Sequence, residues 1–355
     1  MRNIEKYYAV MKEEQLDGIM LTSQVSRMYC AEFDVSEGIA IVSPKGNRYF
    51  TDSRYIEVAQ KNLPEFGVEM VDSRTSYAML LQKAIDDFGI QKLGFEETFL
   101  TVAEFSAFDQ KLSATFVPCQ KAINKLRYVK EDWELDRMNK AQAITDQAFA
   151  EVLTRVHAGM TEKELRTELI YCMYKNGADG LAFDPIVISG PNTSMPHGVA
   201  GDRKLQAGDF ITMDFGAAYQ GYCSDMTRTF ALGYATEEMK RIYHIVLEAQ
   251  LAGIAATKAG VSGKAIDGAA RKVIEEAGYG DCFGHGYGHC LGLEIHEDPN
   301  CNLRNDSPMP AGAVSSAEPG IYIPDKFGVR IEDVVIITED GCIDITKSDK
   351  RLIIV

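Results

Sequence analysis

The chain has 355 residues, a formal net charge of −15, and 46% hydrophobic and 25% charged residues. This length exceeds the usual size of one hydrophobic core and predicts two domains. Because phosphate backbones are bound by clustered Lys and Arg, the acidic balance argues against nucleic acid as a partner.

The sequence up to Gly18 is charged from its start and lacks the apolar run and the cleavage site of a secretory signal. No stretch approaches the ~18 uninterrupted apolar residues of a membrane span. We therefore expect a cytoplasmic protein without a membrane partner. The eight cysteines show no C-x-x-C spacing, which predicts free thiols in a reducing compartment.

The first third of the chain alternates short apolar runs with turns, as in LDGIMLTS and GIAIVSPKGNRYFTD. This pattern predicts a small α/β domain with a β-hairpin around Pro44–Asn47. From Glu131 to about Val156, apolar residues instead recur at helical spacing. The change predicts a domain boundary, and we assign residues 1–125 to the first domain and residues 126–355 to the second.

The second domain contains an internal repeat. His157–Leu165 is similar to Lys258–Ile266, because in both a helix ends at a glycine and a Thr or Ser cap begins the next helix. Thr161 and Glu164 match the pattern of a capping box. In each copy, two helices precede a β-rich stretch that contains two acidic residues. We predict two α-α-β-β halves related by a pseudo-twofold axis, with chance recurrence of the turn as the alternative.

The first acidic pair lies in Asp209–Asp225, where strand-like residues flank a Gln-Gly turn. We expect Asp214 and Asp225 to be cross-strand partners, with Cβ atoms ~4.5–5.5 Å apart. Opposed carboxylates repel each other, and two divalent ions ~3.5–4 Å apart would fit between them. The alternative is a solvated pair on an exposed face, against which the apolar neighbours of Asp214 argue.

The second acidic pair lies in Glu318–Asp333, where a turn rich in Pro and Gly again separates two β-type runs. Glu318 and Glu332 lie at comparable distances from this turn. Arg330 is two residues before Glu332, which predicts a shared strand face. We expect its guanidinium to brace a metal-bound carboxylate or to form an ordinary cross-strand ion pair.

Histidines supply the third signal. Four of the six lie in or beside segments rich in Gly and Pro, where the backbone can approach a site closely: His197, His285, His289 and His296. We predict functional roles for these four. His157 and His244 are expected to lie in helices and to be structural.

Taken together and in this order, D-F-G…S-D, G-H-G-x-G-H…H-E, E-P-G-I-Y and V-R-I-E-D resemble the pita-bread metallopeptidases, specifically the Xaa-Pro aminopeptidase and prolidase branch. The N-terminal part, LDGIMLTS…YFTDSRY, resembles the creatinase-type first domain of that branch. The resemblance covers essentially the whole chain. It implies an α+β fold class, with a creatinase-like N-terminal α/β domain followed by a pseudo-twofold pita-bread catalytic domain. Methionine aminopeptidases share only the second part.

The resemblance also implies the site. Two divalent metal ions would be bound by Asp214, Asp225, His289, Glu318 and Glu332. Their four carboxylates and one imidazole carry −4, which two divalent ions balance, and the oxygen-rich set favours Mn²⁺, with Co²⁺ or Zn²⁺ as alternatives. His197, His285 and His296 match the substrate-handling histidines of the family. Two residues depart from its pattern, Tyr287 and Cys290, and Cys290 could narrow the pocket or make it sensitive to oxidation.

The implied activity is hydrolysis of the peptide bond before proline by a metal-activated water. Glu318 would transfer the proton, and His296 aided by His197 would bind the oxyanion. Prolidases often place an arginine shortly after the second histidine of the His-rich motif, but here Asn300 is four residues after His296 and Arg304 is the nearest cation. We therefore favour an Xaa-Pro aminopeptidase over a dipeptidase (prolidase).

Two more distant alternatives are a metal-free creatinase-type C–N hydrolase and a non-catalytic binding module. Both would be expected to lose several ligands, and none is lost here. The implied partners are proline-containing peptides or dipeptides and, by the same resemblance, a second copy of the chain in a homodimer.

Overall fold

The computed structural model describes residues 2–355, and the chain divides into two compact units, one ending at Arg127 and the other comprising Tyr128–Val355. The first unit contains these helices and strands: α1 (Asn3–Glu13), β1 (Gly18–Leu21), α2 (Gln24–Ala31), β2 (Ile39–Ser43), β3 (Gly46–Asp52), α3 (Ile56–Asn62), β4 (Gly67–Val71), α4 (Tyr77–Phe88), β5 (Lys92–Phe95), α5 (Val102–Asp109), β6 (Thr115–Pro118) and α6 (Gln120–Lys125).

The first unit is built on a mixed sheet with the strand order β4-β3-β2-β1-β5-β6. Strands β1, β2 and β3 are antiparallel neighbours, whereas β3 and β4, β1 and β5, and β5 and β6 pair in parallel. Ser43 pairs with Gly46, so the predicted hairpin around Pro44–Asn47 is confirmed. Every residue of β1 and β2 is buried, which explains their continuous apolar sequences.

The first helix of the second unit is α7, and its last strand is β19. Its elements are α7 (Asp132–Leu153), α8 (Glu162–Lys175), β7 (Gly180–Leu181), β8 (Ile186–Ser189), a 3₁₀ turn (Gly190–Ser194), β9 (Phe210–Phe215), β10 (Ala217–Tyr219), β11 (Tyr222–Cys223), β12 (Met226–Ala231), α9 (Glu237–Ala256), α10 (Gly263–Glu276), a 3₁₀ turn (Gly280–Cys282), β13 (Gly288–Cys290), β14 (Glu297–Cys301), β15 (Val314–Ala317), β16 (Gly320–Ile323), β17 (Phe327–Arg330), β18 (Asp333–Ile337) and β19 (Cys342–Asp344).

The strands of the second unit form small sheets that belong to its two halves. In the first half the strand orders are β12-β9-β8 and β11-β10-β7. In the second half they are β14-β13-β15-β18-β19 and β16-β17. Each half therefore places two helices before its strands, as the repeat predicts.

The local structure of the two halves also repeats. Thr161 and Ser262 cap α8 and α10 with their side chains, and the capping box with Glu164 is confirmed. Gly159 and Gly260, just before the caps, have positive φ angles of 90° and 81°. Matching contacts follow in both halves: the bridges Thr161–Lys204 and Ser262–Pro308, and the ion pairs Lys163–Asp202 and Lys264–Asp306. The predicted α-α-β-β halves are confirmed.

The first half has an apolar core of its own, whereas the core of the second half also includes Phe210 and Ala231 of the first. A buried ion pair also joins the two halves. Phe149 packs near Phe215 and Phe230 in the first half. Arg228 of the first half and Asp333 of the second are 2.7 Å apart, with 1% and 0% of their side chains exposed. Arg228 also donates to the Glu332 backbone oxygen at 2.6 Å, which brings this pair next to the acidic segments.

The structure settles three smaller points. His157 lies in the connection after α7 rather than in a helix, because α7 ends at Leu153, so that prediction is wrong; His244 lies in α9, as predicted. The described cysteines are free thiols, and only Cys282 and Cys342 are partly exposed. None of the helices in residues 2–355 has the length and apolar composition needed to cross a membrane.

Candidate metal centre

A cavity of about 340 Å³ opens into the second unit. Its wall contains every residue assigned to a site from the sequence: Asp214, Asp225, Glu318, Glu332, His197, His285, His289, His296 and Arg330. The acidic residues come from both halves. The repeat of the fold therefore brings four carboxylates to one space.

The acidic residues lie at or near strand ends. Asp214 is the penultimate residue of β9, and Asp225 directly precedes β12. Glu318 lies between β15 and β16, and Glu332 lies between β17 and β18. His289 is the middle residue of β13, and the register of its ladder shifts directly after it. Such irregularities re-aim side chains, which is how a strand delivers one to a site.

Asp214 and Asp225 are not cross-strand partners, so that prediction is wrong. The turn between them has positive φ angles at both Gln220 (47°) and Gly221 (83°), as in a type I′ hairpin. The register that follows from this turn places Thr227 opposite Asp214. Asp225 precedes Thr227 by two residues and so shares its face of the strand.

Three of the predicted ligands form a compact group. One ligand atom each from Asp225, His289 and Glu332 lies within 4.8 Å of the other two. His289 Nε2 is 3.6 Å from Asp225 Oδ2 and 3.4 Å from Glu318 Oε1. Asp214 lines the same cavity, and its Oδ2 accepts from Arg330 at 2.6 Å. The five predicted ligands thus surround one space.

Burial makes these carboxylates hard to ionise. It raises the pKa of Asp225 and of Glu332 well above their ordinary values, and the other carboxylates of the site raise both further. Burial also raises the pKa of Glu318 from 4.5 to about 7. Arg330 opposes all three shifts. One guanidinium does not offset four carboxylates, so the site lacks positive charge.

His289 presents an unprotonated nitrogen to the carboxylates. Its Nδ1 is 3.1 Å from the backbone oxygen of Cys290. A carbonyl oxygen only accepts hydrogen bonds, so Nδ1 carries the proton and Nε2 does not. Burial lowers the pKa of His289, which keeps the ring neutral. Neutral imidazole with a free Nε2 is the form that binds a metal.

The donor set fits divalent cations. Asp214 Oδ1 and Asp225 Oδ1 are buried and have no hydrogen-bond partner among residues 2–355. A buried carboxylate oxygen without a partner is costly, and as an acceptor it is satisfied by a donor or a cation. With His289 Nε2 and the carboxylates of Glu318 and Glu332, these oxygens form a set suited to two divalent ions.

Arg330 connects acidic residues of both halves. The guanidinium is buried, and it donates to Asp214 Oδ2 at 2.6 Å and to Thr227 Oγ1 at 2.9 Å. Thr227 Oγ1 donates in turn to Glu332 Oε2 at 2.6 Å. Glu332 follows the end of β17 by two residues, and its carboxylate and the Arg330 guanidinium meet at the same Thr227 hydroxyl. Arg330 therefore braces Asp214 directly and Glu332 through Thr227.

His285 lines the cavity, but protein groups occupy both of its ring nitrogens. Nδ1 is 2.9 Å from the Gly286 backbone oxygen, so Nδ1 is protonated. Nε2 is 2.9 Å from the hydroxyl of Tyr322, which itself accepts from Arg330. Burial lowers the pKa of His285 to about 4, which keeps the ring neutral. In this arrangement Nε2 accepts from Tyr322 and neither nitrogen is open to a substrate.

His197 and His296 differ from His285 in this respect. Within the described part of the chain, neither ring has a hydrogen-bond partner. Burial and the nearby His289 lower the pKa of His296, and the rings of His296 and His289 meet edge to face with centroids 4.4 Å apart. Both histidines can therefore offer ring nitrogens to a molecule in the cavity.

Three residues of the site were missed in the sequence: Thr227, Ser316 and Tyr322. Ser316 Oγ accepts from the His289 backbone N–H at 3.0 Å and donates to Glu318 Oε1 at 3.2 Å. Thr227 and Ser316 are each two residues from a predicted ligand. The period of two along a strand would have placed both on the ligand face.

The two departures from the family pattern lie outside the cavity wall. Cys290 is fully buried in an apolar core, and burial raises the pKa of its thiol. Tyr287 is also buried and donates to the Gln250 backbone oxygen at 2.9 Å. Cys290 therefore neither narrows the cavity nor exposes a thiolate to oxidants, so that expectation is wrong.

Two protein-family models match the chain. The Creatinase/Prolidase N-terminal domain matches residues 3–129, and Metallopeptidase family M24 matches residues 136–339. The second match contains every residue of the cavity discussed above.

Known proteins and solved structures also match this chain over almost its whole sequence. An uncharacterised peptidase of Bacillus subtilis (strain 168) is 40% identical over 352 residues, which cover 99% of each chain. The solved structure of an Xaa-Pro dipeptidase from Bacillus anthracis matches with a TM-score of 0.96 and 43% identity over 99% of each chain. An X-Pro aminopeptidase from Thermotoga maritima MSB8 matches with a TM-score of 0.92 and 37% identity, over 98% of this chain and 100% of that one.

Proposed function

Since the chain belongs to metallopeptidase family M24 and carries a creatinase/prolidase N-terminal domain, we propose that it hydrolyses the peptide bond preceding proline and releases the N-terminal residue, as an Xaa-Pro aminopeptidase. The observation that carries this proposal is the convergence of four carboxylates and one neutral imidazole on a single cavity.

Asp214, Asp225, His289, Glu318 and Glu332 would hold two divalent metal ions, with Mn²⁺ favoured and Co²⁺ or Zn²⁺ as alternatives. Such ions polarise a carbonyl group and lower the pKa of a bound water. The two buried oxygens without partners, on Asp214 and Asp225, support this assignment.

Side chains of the cavity would carry out proton transfer, oxyanion binding and positioning. Glu318 would hold the proton of the attacking water on a carboxylate oxygen and deliver it to the proline nitrogen, and the Ser316 hydroxyl orients this carboxylate. His296 and His197 would donate from their ring N–H groups to the carbonyl oxygen as it gains negative charge. His285 would position Tyr322 rather than touch the substrate, since both of its nitrogens are occupied.

The cavity wall includes apolar side chains that suit a proline ring. Phe183, Ile186, Pro196 and Ile295 line it together with the polar residues. The amide before proline lacks an N–H, so recognition cannot use that donor and relies on shape and apolar contact. We propose that these four side chains bind the pyrrolidine ring.

The choice of aminopeptidase depends on the charges of the wall. Asn300 lines the cavity, and among the described lining residues the only guanidinium or ammonium group belongs to Arg330. Arg330 is already engaged by Asp214, Thr227 and Tyr322. The wall therefore offers no free cation to the terminal carboxylate of an Xaa-Pro dipeptide.

Hydrolysis of an Xaa-Pro dipeptide and of a longer Xaa-Pro peptide, compared under the same conditions, tests this choice. We expect higher kcat/KM for the longer peptide and a shift towards the dipeptide in Asn300→Arg. Cleavage of the dipeptide alone would favour the second candidate, an Xaa-Pro dipeptidase (prolidase). That candidate is supported by the structure from Bacillus anthracis, which bears that name at 43% identity.

Metal analysis separates more distant functions. A metal-free creatinase-type hydrolase or a non-catalytic binding module would contain no stoichiometric divalent metal and would not respond to Mn²⁺. The complete ligand set argues against both.

We also propose the domain limits, the compartment and the oligomeric state of the enzyme. We keep the domain limits 1–125 and 126–355, and we propose a cytoplasmic homodimer that acts on proline-containing peptides. The free thiols support a reducing compartment, whereas the homodimer rests on the family resemblance.

A further inference from the structure

The segment that carries His197 is a loop whose position is not set by His197 itself. We call residues 190–200, which follow β8, the His197 loop. The His197 side chain is exposed on the cavity wall, and its ring has no hydrogen-bond partner within residues 2–355. Met195 and Val199, on either side, are 51% and 88% exposed. Contacts elsewhere in the loop must therefore determine where this ring lies.

A single buried carboxylate ties both ends of the His197 loop together. Glu162, the first residue of α8, is fully buried. Its Oε1 accepts from the Ser189 backbone N–H and hydroxyl, both at 2.8 Å, and from Asn192 Nδ2 at 3.0 Å. Its Oε2 accepts from the Gly201 backbone N–H at 2.9 Å. One oxygen thus holds the start of the loop and the other holds its end.

Neighbouring groups hold Glu162 in place for this contact. Its backbone N–H donates to the Arg203 backbone oxygen at 3.1 Å. Arg203 donates to the Ser189 hydroxyl at 2.7 Å and pairs with Asp209 at 2.6 Å. The Ser189 hydroxyl accepts from Arg203 and donates to Glu162, so a continuous chain of hydrogen bonds fixes the base of the loop.

Other contacts also reach the His197 loop. Gly328 N–H donates to Thr193 Oγ1 at 2.9 Å, and Arg330 donates to the Pro196 backbone oxygen at 3.4 Å. Gly198 N–H donates to the Met195 backbone oxygen within the loop. At the end of the loop, Gly201 is held twice: its N–H donates to the Glu162 carboxylate at 2.9 Å, and its backbone oxygen accepts from the Lys163 N–H at 3.2 Å. Of these two groups, only the Glu162 carboxylate also holds the start of the loop.

We propose that Glu162 is a positioning residue for the reaction: it clamps both ends of the His197 loop and thereby places the His197 ring at the cavity. This inference rests on the proposed function, because that function gives His197 its contact with the substrate. The carboxylate accepts four hydrogen bonds from the loop and its flanks, which an amide cannot do, since its nitrogen would face a donor. Glu162→Gln should therefore loosen the loop while keeping the size of the side chain.

Glu164 provides a matched control. It lies two residues further along α8, is exposed, and makes the capping box with Thr161. Glu164→Gln removes a carboxylate from the same helical turn without touching the His197 loop. A loss that arises only from a weaker α8 would appear in both variants.

Backbone hydrogen exchange tests the clamp without any substrate. We expect faster exchange across residues 189–201 in Glu162→Gln than in the wild type and in Glu164→Gln. Unchanged exchange in Glu162→Gln would overturn the proposal. If the wild type hydrolysed no Xaa-Pro peptide, the proposed function would fail, and exchange would still decide whether Glu162 clamps the loop.

A double-mutant cycle tests whether Glu162 acts through His197. We expect kcat to fall about 10- to 100-fold in Glu162→Gln, since small displacements of reacting groups have effects of this size. Metal affinity should be unchanged, and Glu164→Gln should keep wild-type kcat. In the His197→Ala background, Glu162→Gln should lower kcat no further. Full multiplication of the two losses would overturn the proposal.

Asn192→Ala serves if Glu162→Gln does not fold, because it removes one bond of the clamp and leaves the carboxylate in place. We expect a smaller loss of kcat that also disappears in the His197→Ala background. An undiminished loss in that background would contradict the role of Glu162.

Discussion

Thr227 and Glu332 lie in different halves of the catalytic unit, and the Thr227 hydroxyl donates to Glu332 Oε2 at 2.6 Å. The same hydroxyl oxygen accepts from Arg330 at 2.9 Å, and Arg330 holds Asp214. Thr227 is also the cross-strand neighbour of Asp214. A ring of contacts thus fixes one carboxylate from each half relative to the other.

Thr227→Val should weaken metal binding. Valine keeps the shape of the side chain but removes the hydroxyl, so Glu332 loses a donor and Arg330 an acceptor. Loss of a hydrogen bond that orients a metal ligand typically costs about 10- to 100-fold in metal affinity or activity. Titration of the metal-depleted protein with Mn²⁺, followed by calorimetry, measures the effect.

Thr212→Val is the matched control for this change. Thr212 is a buried threonine of β9 whose hydroxyl lies 3.0 Å from that of Thr229. We expect its Mn²⁺ affinity to match the wild type. Equal losses of Mn²⁺ affinity in both variants would show that removing any buried hydroxyl weakens metal binding through stability, and would contradict the specific role of Thr227.

Arg228→Met should destabilise the second unit strongly. Arg228 and Asp333 form a buried pair, and Lys350 and Gln250 also contact the Asp333 carboxylate. Removal of Arg228 leaves Asp333 with Lys350 as its remaining cationic partner and takes a donor from the Glu332 backbone oxygen, and losses of this kind cost about 1–3 kcal/mol each. Chemical denaturation gives the free energy of unfolding.

The exposed ion pair Lys163–Asp202 serves for comparison, with 59% and 86% of its side chains exposed. Lys163→Met should change the free energy of unfolding by about 0–1 kcal/mol, as is usual for surface pairs. A cost for Arg228→Met no larger than this would contradict the importance of the buried pair.

Much of the site could be predicted because its proposed ligands are acidic residues and a histidine that stand in recognisable sequence motifs. Asp214, Glu318 and His289 stand in motifs whose order along the chain points to one chemistry. The pairing of Asp214 with Asp225 failed because the partner depends on where the turn is centred. Positive φ angles at Gln220 and Gly221 centre it between them and bring Thr227 opposite Asp214 instead.

The residues that hold the predicted ligands and histidines in place, Thr227, Ser316 and Tyr322, could not be recognised as readily. Threonine, serine and tyrosine are common in strands for reasons unrelated to a site. Tyr322 and His285 are 37 residues apart in sequence, and only the fold brings them within 2.9 Å. Glu162 gave no signal either, because a glutamate in the first turn of a helix is ordinary.

In the metal-free protein, the raised pKa of Glu318 should lower stability as the pH rises from about 4.5 to about 7. The lowered pKa values of His285, His289 and His296 act in the opposite direction, so the effect of Glu318 must be measured as a difference between variants. The pKa of Glu318 rises from 4.5 to about 7 on folding. Below 4.5 this group is protonated in both states. Between the two values the unfolded chain releases the proton while the folded chain keeps it, so the folded state loses stability, by roughly 3 kcal/mol once the pH exceeds 7. Asp225 and Glu332, whose pKa values are also raised, act in the same direction.

Melting temperatures of the wild type and of Glu318→Gln in EDTA, measured across this pH range, isolate the Glu318 contribution, because both proteins contain the same histidines. The melting temperature of the wild type minus that of Glu318→Gln should fall as the pH rises, and added Mn²⁺ should stabilise the wild type most at the upper end of the range. A difference between wild type and Glu318→Gln that stays constant or rises between pH 4.5 and 7 would contradict the account.

In the proposed site, carboxylates from two symmetric halves and one imidazole surround a pair of divalent ions. Metal content and Xaa-Pro hydrolysis, measured on the same preparations of wild type and Asp214→Asn, test this arrangement most directly. We predict two divalent ions per wild-type chain with hydrolysis, and loss of metal together with loss of hydrolysis in the variant. A wild-type protein without stoichiometric metal, or full activity in metal-depleted Asp214→Asn, would contradict it.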